Sequence, residues 1–184
     1  MEVARYFLYK GRIFVYALLA VLLSSVVSTV ASSRCELFVL PIWLQLLLAR
    51  TLDDFFDYEK DERRSGHSVG GGEERELRLG KSRYGIDRRR LGRLCVATAL
   101  LYTGVNLLIY AGGGLFCLVI VLWMLLEEKF LWLQSGAGAV SGAYYLSRVR
   151  PLSEFGLREL VFLGGLVLLS LVFGVWKRKK RDDL

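Results

Sequence analysis

Arg50-Thr51-Leu52-Asp53-Asp54-Phe55-Phe56-Asp57-Tyr58-Glu59-Lys60-Asp61 is the stretch on which the fold turns. Upstream of it, Leu37 to Ala49 carries no charge, so the segment reads as the end of a membrane span. Asp54, Asp57 and Asp61 stand at i, i+3 and i+7, and at about 100° per residue they share one face of a continued helix. Asp53 and Arg50 flank that face. Carboxylates stacked on one face repel each other unless a cation sits among them. Hard divalent ions such as Mg²⁺ take carboxylate oxygens and keep room for substrate phosphates. The spot is a candidate site for a metal–diphosphate at a membrane surface. The plainer reading is a solvated juxtamembrane helix whose acids balance Lys60, Arg63 and Arg64, with Arg50 snorkelling and pairing with Asp54 at i+4.

Working outward, the chain has 184 residues, of which 54% are hydrophobic. Its mean hydropathy is +0.40. Charge is gathered into short blocks between apolar runs near the roughly 20 residues that one bilayer crossing requires. The expectation is an all-α integral membrane protein forming a single polytopic domain over 1–184. Cys35, Cys95 and Cys117 are far apart, no CxxC pair exists and His67 is the only histidine. That argues against a disulfide framework, a zinc site or a Cys/His nucleophile. The cysteines read as small buried hydrophobes. The formal net charge of +7 sits in basic blocks beside apolar spans, which points to membrane orientation rather than to nucleic acid.

Arg5, Lys10 and Arg12 precede the apolar run Ile13–Val30, which is longer than a signal-peptide core and is expected to be a retained first helix. The second helix is expected from Leu37 to about Leu52 and onward through Asp61. A hydrophilic loop follows at about 53–93; from Arg50 to Arg93 there are twelve Lys/Arg against ten Asp/Glu, around a Gly/Ser-rich linker at Ser65–Gly72. The basic run Asp87–Arg93 opens a third helix, Leu94–Tyr110. Ala111–Gly114 makes a tight turn into a fourth, Leu115–Leu126. Phe130–Leu146 reads either as a fifth, closely packed helix, in which Gly138 and Gly142 have GxxxG spacing, or as a re-entrant segment. Leu157–Trp176 is the last helix, running into the basic tail Lys177–Arg181.

About six spans with both termini cytoplasmic satisfy the charges best, although Arg148 and Arg150 then fall on the outer side. The plasma membrane of a bacterium is the expected location. Asn106 is expected to bond a neighbouring helix. Trp123, Phe130, Trp132, Tyr144 and Tyr145 are expected to anchor at the interface. Glu127 and Glu128 are read as a cytoplasmic helix edge.

Asp53-Asp54-x-x-Asp57-x-x-x-Asp61 resembles the first aspartate-rich motif of the UbiA-type intramembrane prenyltransferases, usually Asn-Asp-x-x-Asp-x-x-x-Asp. Asp53 stands where Asn is more common. Arg50-Thr-Leu-Asp53-Asp54 is similar to a bacterial form with an Arg three residues earlier and an acidic pair. The resemblance implies a fold like the first two thirds of a nine-helix ring. It further implies that Asp54, Asp57 and Asp61, with Asp53 beside them, bind Mg²⁺. Arg50, Arg63, Arg64, Lys81 and Arg83 would then offset the charge of a prenyl diphosphate. The implied activity is Mg²⁺-dependent transfer of an isoprenyl group to a lipophilic acceptor, with developing charge on the leaving diphosphate stabilised by metal and cations.

The pattern departs from the family at two points. The second aspartate-rich motif and helices seven to nine are lacking, with Asp182-Asp183 in the motif's place, and the Arg-Pro element after the first motif is absent; Leu79–Gly85 is the nearest stretch. The alternative expectation is therefore a non-catalytic protein, or a subunit that needs a partner or a second copy for the missing helices. A CDP-alcohol phosphotransferase would require an Asp-Gly, Ala-Arg and later Gly-x-x-x-Asp pattern that the chain does not carry. No inverted repeat marks a transporter.

Overall fold

Each long apolar run becomes one helix, and the polar blocks become the connections. The computed structural model describes residues 2–8, 12–32, 36–58, 86–110, 112–127 and 136–182, and all of the regular structure among them is helical. Helix α1 spans Glu2–Leu8, α2 Arg12–Ala31 and α3 Val39–Phe56. Helix α4 spans Arg88–Ile109, α5 Gly113–Glu127, α6 Gly136–Val149 and α7 Leu157–Asp182. Single 3₁₀ turns at Glu36–Phe38 and Leu152–Glu154 lead into α3 and α7.

Local chemistry sets these limits. Ser32 takes a left-handed φ of 51° immediately after α2, a conformation that closes a helix. Asp87 caps α4, its carboxylate accepting from the Arg90 N–H at 2.7 Å. At the start of α7 the Gly156 N–H donates to Glu159 Oε2 at 2.8 Å, the reaching-back half of a capping box. The third helix therefore begins six residues earlier than the expected Leu94, because the cap and not the end of the charge run decides where it starts.

Helix α3 is central: it lies between α2 and α4, α4 packs on α5, and α6 packs on α7 and reaches back to α2 and α5. Ala31, Phe38, Tyr145 and Leu146 meet at one end of the bundle, the far end. Leu44, Leu48, Tyr102, Cys117, Ile120 and Met124 fill the middle. Tyr6, Tyr58, Ile86 and Leu91 close the other end, where the aspartates lie. Cys95 and Cys117 are free and buried, in keeping with a packing role.

Two helices among the described residues are long and apolar enough to cross a membrane, α2 and α4; Gly113–Leu126 is a shorter apolar helix. The 20 residues of α2 rise about 30 Å, the thickness of a bilayer core. Only 17% of the apolar window in α2 and 22% of that in α4 is buried, so most of that apolar surface faces outward. A core helix of a water-soluble fold would be mostly covered. Helix α3 carries Arg50, Asp53 and Asp54 within its 18 residues, and α6 is only 14 residues long. The all-α class of the sequence reading stands; of the about six spans expected, two helices of membrane-crossing length are found among the described residues.

Four further expectations change. Helix α3 ends at Phe56, so the expected continuation is interrupted at Asp57, and residues 59–61 of the expected helix lie outside the described residues. Asp57 closes it, with its N–H on the Asp53 carbonyl at 3.0 Å. Carboxylates in a last turn oppose the negative end of the helix dipole, which disfavours extension. Residues 59–85, including Asp61, Arg63, Arg64, Lys81 and Arg83, lie outside the described residues, as do Phe130 and Trp132. Tyr145 is buried rather than at an interface, because its ring meets Phe38 and its hydroxyl turns to Asn106. A Cβ on Gly138 would meet no described residue, while Gly142 gives close approach to Leu166 of α7, so among the described residues the two glycines do not act as a pair. Helix α1 was not expected at all.

Gly113 starts α5 against the backbone of α4. A Cβ added there would stand 2.6 Å from the Asn106 carbonyl oxygen and 2.9 Å from its carbon. Gly113→Ala is expected to cost about 1–3 kcal/mol of stability, since backbone cannot swing aside as a side chain can. Gly138→Ala, in open space, is the control and is expected to be neutral or slightly stabilising in denaturant unfolding.

Candidate anion and metal site

The last turns of α3 place Arg50, Asp53 and Asp54 on successive rungs. Arg50 Nη1 donates to Asp53 Oδ2 at 2.7 Å, and Nη2 donates to Asp54 Oδ1. The i, i+4 pair read from the sequence is thus formed, and extended to Asp53. Two residues that sequence reasoning missed complete the cluster. Arg12, the first residue of α2, donates from Nη1 to Asp54 Oδ2 at 2.8 Å. Tyr6 of α1 donates its hydroxyl to the same oxygen at 2.7 Å. The Arg12 guanidinium also lies over the Tyr6 ring, 5.5 Å from its centroid.

Asp54 is 4% exposed, and Tyr6 is 1% exposed. Burial raises the Tyr6 phenol well above its ordinary value, and the Asp54 carboxylate raises it further, so the hydroxyl stays protonated and remains a donor. A carboxylate this buried needs compensation, and two guanidiniums and a phenol supply it. Asp53 is partly open, with its side chain 29% exposed. Asp57, at the end of α3, is half-buried. On the side of α4, Gly92 lets the Phe55 ring lie close, and Arg88 sits over that ring at 5.4 Å.

Magnesium takes hard oxygen ligands, and these acids are of the right chemistry. Two of them are already engaged, and Asp61 lies outside the described residues. Both oxygens of Asp54 are taken by donors from Arg12, Arg50 and Tyr6, and Asp53 is held by Arg50. Among the described residues no three His, Cys, Asp or Glu side chains are grouped to hold a metal. The structure brings Arg50, Asp53, Asp54 and Asp57 to one end of α3.

Deeper in the bundle runs a second polar group. Gln45 Nε2 donates to Ser141 Oγ at 2.5 Å, and Gln45 Oε1 accepts from the Tyr102 hydroxyl at 3.4 Å. Asn106 does bond a neighbouring helix, as expected: its Oδ1 accepts from Tyr145 at 3.4 Å, while its Nδ2 donates to the Tyr102 carbonyl at 2.9 Å. These contacts tie α3, α4 and α6 together and satisfy one another, which makes them a packing device. At the far end Arg150 pairs with Glu159 at 2.7 Å and lies 3.9 Å from Glu154. The two positive charges expected to break the orientation rule are thereby reduced to one, Arg148, which lies over the rings of Tyr110 and Tyr144 at 4.2 and 5.2 Å.

No protein-family model, curated protein or solved structure matches this chain.

Proposed function

We propose that this chain is a UbiA-like membrane protein that binds a prenyl diphosphate at the aspartate end of α3 and transfers its isoprenyl group to a lipophilic acceptor. The observation that carries the proposal is the position of Arg12, Arg50, Asp53, Asp54 and Asp57 at the polar end of an otherwise apolar helix pair. Guanidiniums are the side chains best matched to phosphate oxygens, because their planar fork donates in pairs. Asp54 aims two of them at one point, and an apolar bundle beneath offers surface for a prenyl chain. The outward apolar faces of α2 and α4 support the membrane part of the reading.

Magnesium enters through the resemblance alone, as the ion that would shield the diphosphate when bound. Within this chain, Arg12 and Arg50 would hold the diphosphate, Asp54 would orient both arginines, and Asp53 and Asp57 are the more open acids.

A second reading is favoured by the closed ion pairing itself. Asp54 already has its partners, so the cluster serves equally as an internal strut, and the protein would then be non-catalytic or dependent on a partner subunit. Geranylgeranyl diphosphate binding by the purified protein, with and without Mg²⁺, separates the two. Mg²⁺-dependent binding is expected, weakened at least about tenfold in Asp57→Ala, at the half-buried acid that closes α3. A folded protein that fails to bind, or binds equally well as Asp57→Ala, leaves the strut.

A further inference from the structure

At the far end, between the last turns of α2 and the first turns of α7, lies a cleft of about 500 Å³ lined by Thr29, Val30, Leu157, Arg158, Val161 and Phe162. That volume falls in the ~300–1,000 Å³ range of small-molecule sites. Its walls are apolar, and the Thr29 hydroxyl is directed to the Ser25 carbonyl at 2.9 Å. The cleft opens onto apolar surface that continues along both helices, where Val26 of α2 and Leu157 and Val161 of α7 are exposed.

Of the described arginines at this end, two are engaged. Arg148 lies on Tyr110 and Tyr144, and Arg150 is neutralised by Glu154 and Glu159. Arg158 is exposed, and no described residue pairs with it. An unneutralised guanidinium at the rim of an apolar cleft is complementary to an amphiphile whose head is a phosphate and whose tail is hydrocarbon. We propose that this cleft binds one phospholipid of anionic headgroup, its phosphate on Arg158 and an acyl chain between α2 and α7. The proposal rests on the membrane reading of α2 and is independent of the diphosphate chemistry at the opposite end.

The test uses the detergent-purified full chain, stripped of lipid and titrated with phosphatidylglycerol or phosphatidylcholine, with bound lipid counted by native mass spectrometry. The first bound lipid is expected to show about a tenfold preference for phosphatidylglycerol. Arg158→Gln should remove that preference while leaving the protein folded, because the side chain is exposed. Val161→Trp, which fills the cleft, should weaken the first binding event for both lipids. A preference unchanged in Arg158→Gln would assign it to the basic tail Lys177–Arg181 and overturn the proposal. So would equal binding of the two lipids. Displacement of phosphatidylglycerol by inorganic phosphate alone would show head-only binding and would also overturn it.

Discussion

Asp54→Ala is expected to destabilise the protein by about 3–5 kcal/mol, the usual cost of removing one partner from a buried charge cluster. The substitution leaves Tyr6, Arg12 and Arg50 facing a cavity where a carboxylate had accepted from all three. Part of α1 and the start of α2 then lose their anchor to α3. Asp53→Ala, at a carboxylate that is 29% exposed, is expected to cost less than about 1 kcal/mol. Tyr6→Phe lies between them, at about 1.5–3 kcal/mol for one hydrogen bond to a charged acceptor. Denaturant unfolding in detergent gives the order. Equal losses for Asp53→Ala and Asp54→Ala would show that burial does not set the energetics of this cluster. Because Asp54→Ala perturbs folding as well as any ligand, Asp57→Ala is the cleaner probe of diphosphate binding.

The second large effect is expected at Tyr102. Its side chain is fully buried in the middle of the bundle, among Leu44, Leu48, Cys117, Ile120 and Met124. Tyr102→Ala removes an aromatic ring from a close-packed site and is expected to cost about 3–5 kcal/mol. Tyr102→Phe keeps the ring and gives up the long hydrogen bond to Gln45, 3.4 Å, and the hydroxyl's contacts with Tyr145 and Cys117. Its expected cost is about 1 kcal/mol. The pair separates packing from polarity: a Phe variant as unstable as the Ala variant would mean that the Ser141–Gln45–Tyr102 contacts, and not the ring, hold α3, α4 and α6 together.

What was legible in the sequence follows from range. The apolar runs set the helices, since hydrophobic length and the absence of Pro or charge act locally; α2 lies within one residue of the expected Ile13–Val30 at each end. The Arg50–Asp54 pair was legible because i, i+4 spacing fixes it whatever the tertiary fold. Tyr6 and Arg12 were not, because they reach Asp54 across 48 and 42 residues and no local pattern encodes that contact. Arg12 was read only as an orientation charge. The break at Asp57 was missed because periodicity continues through Asp61, while the dipole penalty of acids in a last turn does not show in a period count. Tyr145 was assigned to an interface by composition alone, and its hydrogen bond to Asn106 and contact with Phe38 draw it inward.

The order of the residues around Asp54 has a consequence for how the chain is made. Tyr6, Arg12, Arg50 and Asp54 all lie within the first 54 residues. Chains emerge and organise from the N-terminus, so this cluster has all its members before any residue of α4 has been synthesised. On the membrane reading proposed above, charges that are costly to insert singly can then settle as a neutralised group while α2 and α3 associate. The antiparallel pair α2–α3, pinned by α1, becomes the template on which α4 docks and later helices are added. A biosynthetic intermediate halted after α3 should already protect Tyr6 and the start of α2 from protease.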